Sequence, residues 1–129
     1  MRVKQVSVFA ENRPGRLQAV LTPLAEANIN IRALSIADSA DFGVIRMILS
    51  DTEAGQRVLK EAGFTVMVGD VLAVQVPDRP GGFLSAIVAP LTRAGVNIEY
   101  VYAFADNPLE HALVVLKVSD LAKAEKLIG

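Results

Sequence analysis

The stretch ENRPG at residues 11–15 has a counterpart in PDRPG at residues 77–81, which repeats its last three residues. Each copy stands between a run of alternating apolar residues and a segment with helical periodicity. When the two Arg-Pro-Gly triplets are superimposed and one extra residue is allowed in the second copy, at Gly82 or Phe83, the segments that follow come into register. The sequence therefore predicts a tandem duplication.

The agreement between the copies extends well beyond the turn. The apolar positions of the two predicted helices have the spacing of a helix with one buried face. They are Leu17, Val20, Leu21 and Leu24 in the first copy and Leu84, Ile87, Val88 and Leu91 in the second. Pro23 falls on Pro90, and because a proline inside a helix removes a hydrogen bond, we expect one local solution to be used twice. The pairs Asn30-Ile31 and Ser50-Asp51 match Asn97-Ile98 and Ser119-Asp120.

Alternation and helical periodicity predict the elements of each copy. Strands are expected at residues 2–10, 30–37, 43–50 and 64–68, and then at 71–76, 96–104 and 111–118. Helices are expected at residues 15–27, 52–62, 81–94 and 121–128. Asp51 and Asp120 are expected to be the N-caps of the second and fourth of these helices.

The first copy, residues 1–69, thus has the order βαββαβ, and the second copy, residues 70–129, has the order βαββα. A βαββαβ unit forms an antiparallel sheet with its helices on one face. We therefore predict an α+β protein made of two ferredoxin-like repeats. The second repeat lacks its last strand, so either the sequence is trimmed or another segment completes that edge of the sheet.

Composition limits the classes of function. The chain has 129 residues, of which 52% are apolar, and its formal net charge is −1. It therefore has no basic excess with which to bind nucleic acid or an anionic membrane. No apolar run approaches the ~20 residues that span a bilayer, and the absence of cysteine excludes disulfides and thiolate metal sites. We expect a globular protein of the cytoplasm.

Two pairs of segments carry a family resemblance. They are Asn12-Arg13-Pro14-Gly15-Arg16-Leu17 with Ala27-Asn28-Ile29-Asn30-Ile31, and Asp78-Arg79-Pro80-Gly81 with Ala94-Gly95-Val96-Asn97-Ile98. These segments resemble the ACT domain, a small amino-acid-sensing module attached to many enzymes of amino-acid metabolism. The family sequence is roughly Asn/Asp-x-Pro-Gly-x-Leu, then a helix, then Gly-x-Asn-Ile. The resemblance covers nearly the whole chain and is to the stand-alone tandem ACT proteins.

The two turns also have the chemistry of a carboxylate site. The first amides of a helix lack intrahelical partners, and the helix dipole favours negative charge beside them. Glycine lets a ligand approach the main chain, and Asn12 or Asp78 would suit an ammonium group. The resemblance implies that a neighbouring ACT unit closes the pocket with residues 28–31 or 96–99. The predicted ligand-binding residues are Asn12, Arg13, Pro14, Gly15, Arg16, Leu17, Asn28, Asn30, Ile31, Asp78, Arg79, Pro80, Gly81, Gly82, Phe83, Asn97 and Ile98.

Simpler interpretations of these residues stay open at this point. Pro-Gly is also ordinary turn chemistry before a helix, and Asn30 and Asn97 would equally suit the start of a strand with local hydrogen bonds. If the turns bind ligand, we expect Gly15 and Gly81 to matter more for binding than for folding.

The two turns are not expected to bind equally well. Arg16 would attract a carboxylate to the first turn, whereas Asp78 would repel one from the second, so we expect substitution of Asn12 by Ala to weaken binding more than substitution of Asp78. The alternative is that Asp78 holds the ammonium group while the amides of Gly81 and Gly82 hold the carboxylate.

Three other sequence features do not form a catalytic or metal site. Asp41-Phe42-Gly43 matches the kinase magnesium motif, but no phosphate loop or catalytic loop accompanies it, and we expect a hairpin turn there. Asp38 and Asp41 lack the further oxygen ligands of a calcium loop. His111 is the only histidine, and nothing in the sequence gives it a partner as a base. We therefore predict no catalytic residue, metal site or cofactor.

Two predicted strands are apolar on both faces. Val44 and Ile48 share a face with Arg46, for which we predict a solvent-facing or interface ion pair, and strand 111–118 has a similar pattern. Sheet faces this apolar are seldom left in water. We therefore expect contacts between repeats and between chains, with a homodimer as the assembly.

The expected function is that of a non-catalytic regulatory protein that binds a free amino acid at ACT-domain interfaces and regulates amino-acid metabolism. The alternative is a regulatory or structural small subunit of a biosynthetic enzyme of the acetolactate synthase type, acting mainly through protein contacts. An enzyme is disfavoured because nothing resembles an activated nucleophile or a paired acid and base. The sequence does not indicate which amino acid binds.

Overall fold

A computed structural model describes residues 1–39, 41–106 and 111–129. The strands are β1 (Arg2–Glu11), β2 (Ile31–Ser39), β3 (Phe42–Leu49), β4 (Thr65–Pro77), β5 (Ile98–Asp106) and β6 (His111–Val118). The helices are α1 (Arg16–Glu26), α2 (Thr52–Glu61), α3 (Ala89–Arg93) and α4 (Leu121–Ile128), and a π-helical turn, Leu84–Val88, leads directly into α3. The predicted α+β class with antiparallel, ferredoxin-like repeats is confirmed.

The chain forms two compact units. The first unit comprises residues Lys4–Gly69, and the second comprises Met1–Val3 together with Asp70–Gly129. Strands follow the order β2-β3-β1-β4 in the first unit and β1-β4-β6-β5 in the second. Strands β1 and β4 occur in both orders because the division between the units falls within each of them.

Strand β4 differs from the sequence prediction. Separate strands are expected at residues 64–68 and 71–76, but β4 runs unbroken from Thr65 to Pro77, so the predicted interruption is wrong. Gly69 and Asp70 are residue types that favour turns, yet both keep strand geometry here. Local residue preference is therefore overridden at this point by the pairing of the strand.

The beginning of the chain completes the sheet edge of the second unit. The amino group of Met1 donates a hydrogen bond to the carbonyl oxygen of Ala73 at 3.1 Å, and the amide of Ala73 donates to the carbonyl oxygen of Met1 at 2.8 Å. Arg2 adds ion pairs with Glu125 at 3.2 Å and with Asp70 at 3.8 Å. Completion by another segment therefore accounts for the strand that the second repeat lacks.

Each unit has its own apolar core between sheet and helices. In the first unit alternate residues of β1 and β3 face α1 and α2, as their alternating pattern predicts. Buried residues of this core include Val6, Val8, Val20, Leu24, Ile45, Met47 and Leu59. The core of the second unit includes Leu72, Val76, Ile87, Leu91, Val114, Leu116 and Ala124.

The predicted apolar stripes of the first helices are confirmed in part. Val20 and Leu24 are fully buried, but Leu17 at the start of α1 is 36% exposed. Its counterpart Leu84 is 59% exposed, so the prediction that these two residues join the buried face is wrong. The first turn of each helical segment thus stays outside the core and presents an apolar side chain close to the Arg-Pro-Gly turn.

The extra residue of the second copy has a defined structural outcome. The segment from Gly81 to Pro90 is one residue longer than the segment from Gly15 to Pro23. A π-helical turn holds more residues than an α-helical turn, and such turns typically occur singly within α-helices. The π-helical turn Leu84–Val88 takes up the difference.

Two further local predictions are confirmed. The Asp51 carboxylate accepts a hydrogen bond from the amide of Ala54 at 3.0 Å, and the Asp120 carboxylate accepts one from the amide of Lys123 at 3.1 Å, so both are N-caps. Of the expected hairpin turn at Asp41-Phe42-Gly43, Asp41 lies in the turn that joins β2 to β3, whereas Phe42 and Gly43 already belong to β3.

Candidate functional site

Both Arg-Pro-Gly turns adopt the same backbone conformation. Gly15 has a φ of 87° and Gly81 a φ of 76°, both in the left-handed region. In each copy the amide that follows the glycine donates to the carbonyl oxygen of the arginine, at 3.3 Å in the first copy and 2.9 Å in the second. The carbonyl oxygen of each glycine then accepts the first helical hydrogen bond, at 3.0 Å and 2.9 Å. One local structure is therefore used twice.

The two turn glycines are required by backbone geometry. A Cβ at Gly15 or Gly81 would meet no atom within 4 Å, but a left-handed residue with a side chain is destabilised by roughly 1–2 kcal/mol. Substitution is therefore expected to reduce folding stability as well as any binding, which revises the expectation from the sequence. At Gly82 the limit is space, because a Cβ there would collide with the carbonyl oxygen of Pro77.

The first turn forms one wall of a small pocket in the first unit. This first pocket has a volume of about 80 Å³. It is lined by Ala10, Glu11, Asn12, Arg13, Arg16, Leu17, Ile36, Gly43 and Ile45. Within it the Nε of Arg13 forms an ion pair with the Glu11 carboxylate at 3.2 Å.

The second turn forms a wall of a larger pocket in the second unit. This second pocket has a volume of about 280 Å³. It is lined by Val76, Pro77, Asp78, Arg79, Phe83, Val101, Tyr102, Ala103, Ala112 and Val114. Its lining is mostly apolar, and Asp78 and Arg79 are its two charged residues.

The two pockets occupy equivalent places in the two repeats. Ile36 pairs with Ile45 across β2 and β3, and Ala103 pairs with Val114 across β5 and β6, so Ile36 and Ala103 are counterparts. In the same alignment Glu11 corresponds to Pro77 and Asn12 to Asp78, and the matching hydrogen bonds of the two turns make Gly82 the counterpart of Arg16 and Phe83 that of Leu17. The duplicated fold thus produces two sites with one architecture and different chemistry.

Arg16 has an uncommon environment. Its guanidinium carbon lies 5.5 Å from the centre of the Phe64 ring, a cation–π distance. Its Nε is buried and has no hydrogen-bond partner within the described residues. Arg16 also borders an open groove along α1 with Gln18 and Thr22. Arg16 therefore brings a positive charge to the first turn.

The helix-to-strand residues bond locally. The amide of Asn30 donates to Ser50 Oγ at 2.9 Å, and the amide of Asn97 donates to Ser119 Oγ at 2.9 Å. The serine amides donate back to the asparagine carbonyl oxygens, also at 2.9 Å in both copies. These reciprocal pairs support the local interpretation of the main chain at Asn30 and Asn97. Sequence reasoning missed the serines as partners, although the repeated Ser-Asp pair was the available signal.

The structure does not bring all of the predicted binding residues together in one unit. The turn and residues 28–31 lie at opposite ends of α1, whose 11 residues span roughly 16 Å. None of Asn28, Asn30 and Ile31 lines the first pocket, and neither Asn97 nor Ile98 lines the second. Asn28 instead ends the helical segment with a φ of 58°.

Two features are absent from the described part of the chain. No group of three or more histidine, aspartate and glutamate side chains is placed to hold a metal ion there. No helix in the same part is both long enough and apolar enough to cross a bilayer.

Comparison with known proteins places this geometry in a family. A model described as the ACT domain pair matches residues 1–128. The crystal structure of protein BT0572 from Bacteroides thetaiotaomicron is similar, with 41% identity, a TM-score of 0.92, and coverage of 98% of this chain and 86% of that one.

More distant structures share the fold. The regulatory subunit of aspartate kinase from Thermus thermophilus, in its ligand-free form, has 18% identity, a TM-score of 0.65, and coverage of 97% and 87% of the two chains. No match was found among the curated proteins. Because the family match spans almost the whole chain and is supported by the 41% identical relative, this chain belongs to the family of ACT domain pairs.

Proposed function

We propose that this chain is a non-catalytic regulatory protein that binds a free amino acid at ACT-domain interfaces and so regulates amino-acid metabolism. The observation that supports this function is the pair of equivalent pockets, each bordered by an Arg-Pro-Gly turn. Membership of the ACT family and the shared fold with a regulatory subunit of aspartate kinase agree with this role.

The local chemistry suits an amino acid. At the first turn, the amides at the start of the 11-residue helix α1 and the helix dipole favour a carboxylate. Arg16 adds a buried, unpartnered Nε–H within the described residues. The side chain of Asn12 supplies an acceptor for an ammonium group.

Exposed apolar side chains beside the turns support an interface there. Leu34 and Ile36 on the edge strand β2 are 40% and 51% exposed, and Leu17 borders the same first pocket. In the second unit Phe83 and Val101 are exposed at the positions equivalent to Leu17 and Leu34. Apolar surface grouped in this way typically marks a contact site. We propose that a second copy of the chain covers these residues in a homodimer and closes each pocket with a helix-to-strand segment.

The proposal is tested by a thermal-shift screen with the twenty amino acids. A ligand at 100 times its dissociation constant stabilises the folded state by about 2.7 kcal/mol, so a true ligand raises Tm clearly. Sedimentation of the same samples measures whether the dimer changes with ligand. A flat screen would contradict the sensing function.

One alternative is favoured by the same exposed edge strands, namely a small subunit of a biosynthetic enzyme that acts through protein contacts. In that case no free amino acid shifts Tm, and the chain binds the enzyme with an affinity that falls when Leu34 or Ile36 is replaced by a polar residue.

A further inference from the structure

We infer that the second pocket is the main ligand site and that it selects an amino acid with an apolar side chain. This inference rests on the proposed function, and it reverses the preference for the first turn that is expected from the sequence. Three independent features of the second unit carry it.

The first feature is space. The second pocket has about 280 Å³ against about 80 Å³ in the first pocket, and the groove of about 590 Å³ on the other side of the first turn is wide open to solvent. Ligand pockets typically start at about 300 Å³. The register explains much of the difference. Ala103 stands where the first unit has Ile36, and Val114 stands where it has Ile45. The smaller side chains of the second unit leave open a volume that isoleucine side chains fill in the first unit.

The second feature is the charge at the turn. In the first unit Arg13 is paired with Glu11 at 3.2 Å. Its counterpart Arg79 has no such neighbour, because Pro77 stands in the place of Glu11. Among the described side chains, the structure records no ion pair for either Asp78 or Arg79. The guanidinium of Arg79 is therefore available for a carboxylate, and the carboxylate of Asp78 for an ammonium group.

The third feature is the lining beyond these two charges. Val76, Val101, Ala112 and Val114 line the space together with Tyr102, and Gly82 stands where the first unit has the charged Arg16. A polar ligand side chain placed among these groups would lose hydrogen bonds to water without replacement, whereas an aliphatic or aromatic one would gain from burial. The ligand class is therefore an α-amino acid with an aliphatic or aromatic side chain larger than that of alanine.

The test of pocket size uses Ala103→Ile, which copies the residue of the first unit into the second pocket. Ala103 is exposed on a strand, where isoleucine is well tolerated, so folding should be unchanged. Calorimetry with leucine, isoleucine, valine and phenylalanine should show that the best ligand binds at least about tenfold more weakly, equivalent to 1.4 kcal/mol. The matched change Ile36→Ala in the first pocket should alter the affinity of the protein for the same ligand less than Ala103→Ile does.

The test of charge compares Arg79→Gln and Asp78→Asn in the second pocket with Arg13→Gln in the first. Each of the first two should weaken binding about tenfold or more, and Arg13→Gln should weaken it less than Arg79→Gln does. This inference would be overturned, while the sensing function stands, if only polar amino acids bound tightly. It would also be overturned if Arg13→Gln, and not Arg79→Gln, caused the loss of affinity. Absence of binding by all twenty amino acids would overturn both.

Discussion

The guanidinium of Arg2 lies 3.2 Å from the carboxylate of Glu125, which links the second residue of the chain to helix α4 near its other end. The same guanidinium lies 3.8 Å from Asp70, at the point where strand β4 enters the second unit. The start of the chain is therefore joined to the second unit by side-chain charges as well as by the main-chain hydrogen bonds of Met1.

Arg2→Ala should lower the free energy of unfolding by only about 0.2–1 kcal/mol, because exposed ion pairs contribute little. The side chains of Arg2 and Glu125 are 41% and 39% exposed. Urea unfolding of Arg2→Ala, Glu125→Ala and the double variant gives the coupling energy directly. High salt should reduce it by screening, and a coupling that is zero at low salt would show that the pair is not stabilising.

Truncation of the chain to begin at Lys4 should destabilise the second unit more than the first. The variant removes the main-chain partner of Ala73 and exposes this edge of β4 to water. Hydrogen exchange should therefore quicken at residues 71–76 and 111–118 while the amides of β3 stay protected. Uniform protection in both units would contradict a structural role for the first residues.

Gly15→Ala and Gly81→Ala should each reduce stability by about 1 kcal/mol, because alanine is strained at a φ near 80°. Gly69→Ala is the matched control, since a Cβ there also meets no atom within 4 Å but Gly69 has no positive φ. Thermal unfolding measures all three. Equal Tm values for the three variants would mean that the left-handed turns carry no strain.

Asp51→Ala should cost about 1 kcal/mol by removing the N-cap of α2, whereas Asp51→Asn should cost much less because its side-chain oxygen can still accept from Ala54. In α4, Asp120→Ala should likewise reduce stability more than Asp120→Asn does. Urea unfolding of the four variants tests the expectation, and equal losses for Ala and Asn at either position would contradict it.

Replacement of Leu34 by Lys should weaken the proposed homodimer and leave the monomer folded. Leu34 is 40% exposed on the edge strand β2, so a charged side chain there remains hydrated in the monomer but faces desolvation in an interface. Sedimentation equilibrium should show a dissociation constant raised at least about tenfold. Lys substitution of Met67, 61% exposed on β4, is the control. An unchanged dimer in Leu34→Lys would place the interface elsewhere.

The elements that are determined locally were predictable from the sequence. Alternation gave β1 and β3, the apolar stripe located Val20 and Leu24 in the core, and the residue types at Asp51 and Asp120 predicted caps that the structure confirms. Each of these outcomes depends on residues within a few positions of one another. Because the sequence is duplicated, the same local patterns also predicted the corresponding elements of the second copy.

The remaining features depend on partners that are distant in the chain. Nothing near Gly69 shows that β4 continues through it, and nothing near Ala73 shows that Met1 will pair with it. The difference in volume between the two pockets was also not visible in the sequence. It arises because strand register places Ile36 beside Ile45 in the first unit and Ala103 beside Val114 in the second. Sequence inspection of the turns alone therefore favoured the first site.

The π-helical turn Leu84–Val88 has an evolutionary consequence. Because the wide turn absorbs an inserted residue within itself, Ile87 and Leu91 keep the core places that Val20 and Leu24 hold in the other repeat. The rim of the pocket, which precedes the insertion, meanwhile exchanges Arg16 for Gly82 and Leu17 for Phe83. The insertion thus leaves both the turn and the core in register, so the two halves of one gene product are free to diverge at the pocket rim without a compensating mutation in either core.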